Sequence, residues 1–456
     1  MTEPCPTETS PTISWREAWI TWSRVALLSF GGPAGQIAVM HRIIVEEKRW
    51  ISEERFLHAL NFCMLLPGPE AQQLATYIGW LLHRTRGGLL AGGLFILPGL
   101  VAILGLSIVY AEWGTTPVVQ GVFFGLKPAV LAIVMEAVIR IGKRVLKNGV
   151  MLIVASLAFI AIFFLEVPFP ALIAVAGVTG FLGGYWFPQR FSVLKGHSPN
   201  KPDATNPPPR ALQYHDVPPS WRRALGVSAV CLPLWFGPIL VVRAFLGEES
   251  VFFQEGVFFS QAAVVTFGGA YSVLAYVAQQ AVERYGWLKS GEMLDGLGMA
   301  ETTPGPLIMV VQFVGFMGAY RHPGSLTPMT AGIIGSLLTT WVTFVPCFYW
   351  ILLGAPLVER LRSQRLLNAA LSTITAAVVG VVLNLAVWFA IHTLFLDVQE
   401  RHLGLLRLFY PAVASFDIRV ALIAGLAMLL TFYWKRGMVT TLAGCVVLGM
   451  GLFFWR

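Results

Sequence analysis

Two motifs built from glycine and proline stand inside long apolar segments, where they would break a helix. Phe30-Gly31-Gly32-Pro33 falls in the segment near 17–45, and Pro67-Gly68-Pro69 falls in the segment near 54–83. Glycine tolerates non-helical dihedral angles, and proline lacks the amide donor of an intact helix but suits the first turn of a new one. We therefore expect a new helix to begin directly after each motif. Its free N–H groups and positive dipole end could bind an anion.

Both motifs recur at a single offset of 237 residues, as Phe267-Gly268-Gly269 and Pro304-Gly305-Pro306. Trp50 and Trp287 repeat at the same offset, so the chain is a duplicated unit. Paired interruptions in corresponding positions of two membrane halves are the best sequence pointer to a transporter's binding site. The alternative for any single motif is a proline-glycine kink that serves helix packing. Four motifs in register favour the binding site.

Polar side chains surround the two proline motifs unequally. Gln72 and Gln73 follow the first motif, whereas Thr303 precedes the second, whose following residues are almost wholly apolar. We therefore expect an asymmetric site with most side-chain contacts from the first repeat. Glu70 is either the N-terminal cap of its own helix or a proton-carrying group.

Lys127 lies near the middle of the fourth apolar segment. A central lysine costs about 2.5 to 3.5 kcal/mol on insertion scales, so it should face a partner or a cavity. It is the best side-chain candidate for contacting an anion. The alternative is a salt bridge to a buried acid such as Glu136 or Glu70.

The resulting prediction contains a substrate site and no catalytic residue, metal site or cofactor. Its members are Gly31, Gly32, Pro67, Gly68, Gln72, Gln73, Lys127, Gly268, Gly269, Thr303, Pro304 and Gly305.

Composition indicates a polytopic membrane protein. Apolar residues make up 56% of the chain and charged residues 12%, whereas soluble proteins average about 45 to 50% and about 25%. The net charge of +8 comes from Lys and Arg clustered in loops, which the positive-inside rule explains without a nucleic-acid partner. The five cysteines are far apart and suggest packing rather than a disulfide framework. Residues 1–14 are polar, so we expect no cleavable signal peptide.

The chain divides into an N-terminal membrane repeat (1–187), a cytoplasmic proline-rich linker (188–223) and a C-terminal membrane repeat (224–456). We count six apolar segments before the linker and seven after it. They lie near 17–45, 54–83, 88–110, 117–142, 149–165, 169–187, 225–246, 252–283, 291–320, 328–351, 366–395, 411–433 and 437–455. The expected fold class is therefore all-α, with about 13 membrane segments and helices broken at the Gly-Gly and Pro-Gly-Pro motifs.

The extra segment before the second copy inverts the two halves in the membrane. The N-terminus and linker are then cytoplasmic, and the C-terminus lies outside. Lys and Arg near 140–147, 360–365 and 435–436 fall on the linker side, as the positive-inside rule requires. The weak point is the loop with Arg42, Lys48, Arg49 and Arg55, which would lie outside. Re-entrant segments could change the count.

The chain resembles the chromate ion transporter family in the stretch SFGGPAGQIAVMHRIIVEEKRWISEERF and in the Pro67-Gly68-Pro69-Glu70-Ala71-Gln72-Gln73-Leu74-Ala75 run with Gly79-Trp80. Its second copy, TFGGAYSVLAYVAQQAVERYGWL followed by Thr302-Thr303-Pro304-Gly305-Pro306, is similar to the companion half of the long-chain members. The resemblance covers nearly the whole chain outside the linker. It implies an inner-membrane protein that exports chromate, with sulfate as a close structural analogue.

The expected function is a secondary transporter that exports chromate and confers chromate resistance. It lies in the lipid bilayer and binds chromate or a related oxyanion, and a homodimer is one assembly that the sequence leaves open. The alternatives are a carrier that exports or imports sulfate or another oxyanion, and a non-transporting sensor or scaffold. A membrane enzyme would need clustered ionisable groups at one interface, and no such cluster is visible in the sequence.

Overall fold

The computed structural model describes residues 13–191, 220–289, 291–357 and 364–455. Most of the linker prediction, 192–219, therefore lies outside the described residues. Six of the described helices are long and apolar enough to cross a membrane, and five shorter apolar helices accompany them. The protein is thus a helical multi-pass membrane protein, as composition predicts.

The first repeat consists of eight helices. They are α1 (Trp15–Leu28), α2 (Gly32–His41, continued by a π-helical turn Arg42–Glu47), α3 (Glu53–Cys63), α4 (Glu70–Trp113), α5 (Pro117–Val145), α6 (Gly149–Phe163), α7 (Phe169–Trp186) and the short α8 (Pro188–Phe191).

The second repeat follows an additional helix, α9 (Trp221–Leu246). Its elements are α10 (Val251–Val265), α11 (Ala270–Gln279, continued by a π-helical turn Gln280–Arg284), α12 (Glu292–Thr302), a 3₁₀ turn Leu307–Met309 that leads into α13 (Val310–Arg321), α14 (Pro328–Gly354), a 3₁₀ turn Ala355–Leu357, α15 (Arg365–Leu394), strands β1 (Val398–Leu403) and β2 (Leu406–Pro411), a 3₁₀ turn Val413–Ser415, α16 (Ile418–Met428, continued by a π-helical turn Leu429–Tyr433) and α17 (Met438–Phe454).

The helices break where the sequence predicts, but the two arms of each broken segment run antiparallel. We name the four resulting units hairpin 1 (15–47), hairpin 2 (53–82), hairpin 3 (251–284) and hairpin 4 (292–321).

Contacts between the arms establish the reversal in the first repeat. Directly after hairpin 1, Lys48 Nζ lies 2.9 Å from Glu17 Oε1 of its first arm, although an unreversed segment would separate them by its whole length. In hairpin 2, the rings of Phe62 and Tyr77 lie 5.3 Å apart on opposite sides of the break.

The second repeat reverses in the same way. In hairpin 3, the rings of Phe258 and Tyr276 lie 5.3 Å apart. In hairpin 4, Arg321 and Glu292 form an ion pair at 2.7 Å across the open end. The sequence-based count of thirteen treated these four segments as crossings, and that part is wrong because each segment returns to the end from which it entered.

The long helix α4 reverses direction once within its length. His83 and Arg84 have non-helical dihedral angles, and Arg84 has φ of 56°. The arm before this point and the arm after it pack closely through glycine, because a Cβ atom on Gly79 would overlap the Gly87 carbonyl oxygen. Small residues allow such close helix contacts where the surrounding lipid supplies no hydrophobic driving force. The second arm, from Thr85 to Trp113, is the first full-length membrane helix.

The last two membrane helices of each repeat pack against the other repeat. Helices α6 and α7 cover α15, while α16 and α17 cover α5. Glycine again sets the distance between backbones: a Cβ atom on Gly380 would overlap Ala155, and one on Gly125 would overlap Cys445. Each repeat therefore contributes two helices that cover a helix of the other repeat.

A two-stranded antiparallel sheet, which the sequence reading did not predict, joins α15 to α16. Strands β1 and β2 pair from Val398–Pro411 to Leu403–Leu406 around a turn at Gly404, whose φ is 66°. Arg407 of this sheet is 3% exposed and contacts Glu166 at 3.2 Å and Glu283 at 3.4 Å. The sheet thus ties the loop between α6 and α7 to hairpin 3.

Candidate functional site

Two equivalent backbone hydrogen bonds join the tips of the four hairpins in two pairs, and the Tyr271 hydroxyl of hairpin 3 links the pairs by donating to Glu301 of hairpin 4. The Gly305 N–H donates to the Ser29 carbonyl at 3.0 Å, and the Gly68 N–H donates to the Thr266 carbonyl at 2.8 Å. Both donors and both acceptors are related by the 237-residue offset. Each Pro-Gly-Pro tip therefore joins the Phe-Gly-Gly tip of the other repeat.

Further contacts close the junction between hairpin 1 and hairpin 4. The Gln36 side-chain amide donates to the Gly305 carbonyl at 2.6 Å. Helix α4 lies directly behind this tip, because a Cβ atom on Gly99 would come within 2.9 Å of the Pro304 carbonyl oxygen. The second Pro-Gly-Pro motif is thus held from two sides by the first repeat.

The tips are also where the returning arms begin. Helices α2 and α11 and the second-arm helices after Pro69 and Pro306 all start there, and none of these four described helix starts has a side-chain cap. By contrast, α1, α3 and α10 begin at the open ends with serine caps from Ser14, Ser52 and Ser250. Uncapped first-turn amides and the positive ends of helix dipoles are the groups that bind anions in proteins.

Glycine is required at these tips by backbone geometry. Gly31, Gly68, Gly269 and Gly305 have φ of 89°, 126°, 103° and 107°, a region that residues with a Cβ atom rarely adopt. Gly32 and Gly268, with φ of 66° and 73°, belong to the same class. The conformation explains why the breaks use glycine in both copies.

Two carboxyl groups lie against the glycines of the opposite repeat. A Cβ atom on Gly32 would lie 3.8 Å from Glu301 Oε2 and 3.6 Å from the Tyr271 hydroxyl. A Cβ atom on Gly269 would lie 3.7 Å from Glu70 Oε1. The two acids come from non-equivalent positions of the two repeats, so the junction is asymmetric. The sequence predicts most side-chain contacts from the first repeat, whereas each repeat supplies one of these acids.

The predicted polar residues of the first repeat take up internal positions near their tip. The Gln73 amide donates to the Pro67 carbonyl at 2.7 Å, and the Gln72 amide contacts the Thr76 hydroxyl at 3.0 Å. The amide oxygens of both glutamines are buried and have no hydrogen-bond partner among the described residues. Thr303 donates to its own helix at the Ala300 carbonyl.

Lys127 is ion-paired, and its partner is neither of the two acids considered from sequence. Its Nζ lies 3.2 Å from Asp295 Oδ2 of α12, and its side chain is 34% exposed. Tyr110 donates to the same carboxylate oxygen at 2.9 Å. Asp295 precedes Glu301 on α12 and stands nearer the open end of hairpin 4, so the contacts of Lys127 lie outside the junction of the tips.

The sequence reading missed several residues of the junction. Ser29 and Thr266 carry a signal that was available, since a hydroxyl residue precedes each Phe-Gly-Gly at the common offset. Their hydroxyls also make equivalent bonds, to the carbonyls of Val25 and Ala262. Tyr271 gave no such signal, because its role depends on contact with Glu301 of another hairpin.

Comparison with known proteins gives a family assignment. The chromate transporter family model matches residues 16–181 and 253–450, which are the two repeats. A chromate transport protein of Cupriavidus metallidurans is 27% identical over 82% of this chain and 82% of its own length. A chromate transport protein of Pseudomonas aeruginosa is 30% identical over 82% of this chain and 80% of its own length.

A probable chromate transport protein of Synechococcus elongatus is 24% identical over 82% of this chain and 84% of its own length. No solved structure matches the chain. Because the family model covers both repeats, including all four break motifs, the chain belongs to the chromate transporter family.

Proposed function

We propose that this protein is a secondary transporter that exports chromate across the inner membrane and thereby confers chromate resistance. The observation that carries the proposal is the pair of equivalent hydrogen bonds that joins each Pro-Gly-Pro tip to the Phe-Gly-Gly tip of the other repeat. These bonds join the uncapped helix starts in two pairs, and the hydrogen bond from Tyr271 to Glu301 links one pair to the other. Family membership and the names of the relatives support chromate as the anion.

In this proposal, the first-turn amides of the returning arms bind the oxyanion. The substrate-binding residues are those predicted from the sequence at the tips: Gly31, Gly32, Pro67, Gly68, Gln72, Gln73, Gly268, Gly269, Thr303, Pro304 and Gly305. The glycines let the backbone approach the anion closely, and the two glutamines have buried amides close to one tip. Lys127 is an outer member that would attract the anion towards the junction.

The membrane potential supplies a driving force for export. An inside-negative potential acts on each unit charge with about 2.3 kcal/mol per 100 mV, and therefore on a dianion with about 4.6 kcal/mol. Export of chromate thus proceeds downhill electrically. Import of the same dianion would need cotransported cations to overcome this free energy.

The proposed topology places the two repeats in opposite orientations. The nine crossing helices are the second arm of α4, α5, α6, α7, α9, α14, α15, α16 and α17. Four crossings precede the linker, so the N-terminus and the linker share one side, and five follow it, so the C-terminus lies on the other. Hairpins 1 and 2 then enter from the linker side, and hairpins 3 and 4 enter from the opposite side.

Contacts between loops support this arrangement. At the linker end, His83 lies 2.7 Å from the Ile13 carbonyl, and Asn148 donates to the Arg190 carbonyl at 2.7 Å. At the other end, Arg407 contacts Glu166 and Glu283. Each cluster joins loops that the nine crossings assign to the same side.

Loop charge supports a cytoplasmic linker end. Because hairpin 1 returns to its starting side, Arg42, Lys48, Arg49 and Arg55 lie at the linker end, where the positive-inside rule expects cations. The thirteen-span count had placed these four residues outside. The re-entrant hairpins remove that discrepancy while keeping the N- and C-termini on opposite sides.

Transport by purified full-length protein in proteoliposomes tests the function. Chromate, sulfate, molybdate and phosphate are each measured under an imposed membrane potential, with protein orientation determined separately. We expect potential-driven chromate movement towards the side that carries the C-terminus. Preference for sulfate, or movement in the opposite direction, would support the alternative oxyanion carrier, and the absence of flux for all four anions would contradict transport.

A further inference from the structure

Helix α12 carries three acidic residues, and they differ in their partners. Glu292 forms its ion pair with Arg321 at 2.7 Å, and Asp295 forms one with Lys127 at 3.2 Å. Glu301, the residue nearest the tip, receives only a hydrogen bond from the Tyr271 hydroxyl at 2.5 Å. Within the described residues, Glu301 is therefore the acid of this helix that lacks a cation.

Glu301 is buried and points into the junction of the tips. It is 1% exposed, and its Oε2 atom has no hydrogen-bond partner among the residues that the structure describes. The same oxygen faces Gly32, the first residue of α2, at 3.8 Å from the position of a Cβ atom. An unpaired acceptor is thus aimed at the uncapped helix start that belongs to the proposed oxyanion site.

No cation among the described residues forms an ion pair with Glu301. Glu136 and Arg140 of α5 are the charged side chains whose fields reach it, and they pair with each other at 3.8 Å. Tyr271 of α11 is neutral, and Gly32 of α2 contributes only backbone. An ionised Glu301 would therefore be a buried charge without a counterion, which is costly in a protein interior.

The ionised form would also repel the substrate. A dianion at the start of α2 would lie close to the Glu301 carboxylate in an environment that screens charge poorly. Protonation removes the repulsion and converts Oε2 from an acceptor into a possible O–H donor to the oxyanion. Two binding events that favour each other in this way are linked thermodynamically, so anion binding must also promote proton binding.

We propose that Glu301, positioned by Tyr271 at the junction of the hairpin tips, binds a proton whenever the oxyanion binds, so that the carrier moves the two together. This inference rests on the proposed function and adds the coupled ion. The carboxylate takes a proton from the solution on the side where the anion enters, and it releases that proton on the other side with the anion. One chromate dianion then crosses with one proton, and one net negative charge moves per cycle.

Equilibrium binding of radiolabelled chromate to the purified full-length protein provides the first test. Measurements run between about pH 7.5 and pH 9, where chromate itself remains a dianion. Because one proton is taken up with each anion, wild-type binding should weaken by up to about tenfold for each unit by which the pH rises. Glu301→Gln mimics the protonated acid and should bind with an affinity that no longer depends on pH.

Two further variants separate this role from a structural one. Glu249→Gln changes an exposed acid away from the junction and should retain the wild-type pH dependence. Tyr271→Phe removes the donor to Glu301 Oε1, so it should retain pH-dependent binding with a shifted midpoint. If Glu301→Gln does not fold, the Tyr271→Phe shift still tests the proposal, and an unshifted profile would overturn it.

Proton movement gives the second test. Wild-type proteoliposomes loaded with a pH-sensitive dye should show proton movement in the same direction as chromate, and Glu301→Gln should move chromate without protons. Chromate flux by the wild type with no accompanying proton, or identical pH profiles for the wild type and Glu301→Gln, would overturn proton coupling alone. Failure of the wild type to bind or move any tested oxyanion would overturn the proposed function and this inference with it.

Discussion

Gly68→Ala tests whether the joined hairpin tips are required for transport. Gly68 donates its N–H to the Thr266 carbonyl at 2.8 Å and has φ of 126°. An alanine Cβ atom would lie 2.7 Å from Gln73 Nε2 and 2.9 Å from Cys347 Sγ. Gln73 cannot move away freely, because its amide donates to the Pro67 carbonyl of the same tip.

The expected cost follows from these two effects. A residue with a Cβ atom in a sparsely populated backbone region costs about 1 to 3 kcal/mol. Overpacking of a closely packed site costs about 1 to 3 kcal/mol more. The sum of about 2 to 6 kcal/mol would lower the equilibrium constant for forming the intact tip by about 30-fold at the lower bound, since about 1.4 kcal/mol is a factor of ten.

Chromate flux in proteoliposomes, measured at matched amounts of monodisperse protein, is the assay. Gly68→Ala should reduce the flux by more than tenfold while the protein still inserts. The matched control is Gly105→Ala in α4, where the new Cβ atom would have nothing within 4 Å and alanine favours the helix. Wild-type flux in Gly68→Ala, or an equal loss in Gly105→Ala, would refute the reasoning.

Three further predictions concern topology, hairpin geometry and Lys127. Reporter fusions at residue 205 and after Arg456 should report opposite sides of the membrane, and a shared side would contradict the inverted arrangement. Cysteines replacing Glu17 and Lys48 should be joined by a short bifunctional maleimide, because these side chains are in contact at 2.9 Å; no cross-link in folded protein would exclude hairpin 1. Lys127→Gln leaves the Asp295 carboxylate without its cation and should lower thermal stability, which Asp295→Asn in the same chain should restore. If Lys127 also contacts the oxyanion, the stable double variant should bind chromate about 10- to 150-fold more weakly, since a charge-assisted hydrogen bond contributes about 1.5 to 3 kcal/mol. Unchanged affinity would limit Lys127 to the ion pair.

The positions of the breaks were predictable because their cause is local. Glycine and proline set backbone conformation within a few residues, so the returning arms begin at Gly32 and Glu70, within two residues of the positions that the sequence indicates. The correspondence between the breaks of the two repeats was also predictable, because the common offset showed that both copies are interrupted in the same way.

The reversal at each break depends on distant contacts, so the sequence left open whether each segment crosses or folds back. A broken helix that continues and one that folds back have the same local sequence, and contacts such as Glu17 with Lys48 decide between them. One sign was visible beforehand: the cations at Arg42, Lys48, Arg49 and Arg55 were on the wrong side for a crossing segment. If the positive-inside rule is applied to this loop as it is to the others, its cations indicate a re-entrant hairpin.

The contact between Glu301 and Gly32 at the junction could not be predicted from the spacing of residues in the sequence. Glu301 and Gly32 belong to different repeats, and only the folded chain shows that they face each other. The partner of Lys127 was missed for the same reason, since Asp295 lies on α12 of the second repeat. An ion pair was considered only as the alternative to an anion contact, with Glu136 and Glu70 as examples of the partner rather than Asp295.

The exchanged packing of the membrane helices has a consequence for the order of folding during synthesis. Helix α5 is synthesised early, whereas the helices that cover it, α16 and α17, follow only in the second repeat. Until then, the nascent chain must hold α5 against lipid or against an insertion chaperone. Loss of α17 would therefore uncover α5, a helix of the first repeat that is synthesised much earlier.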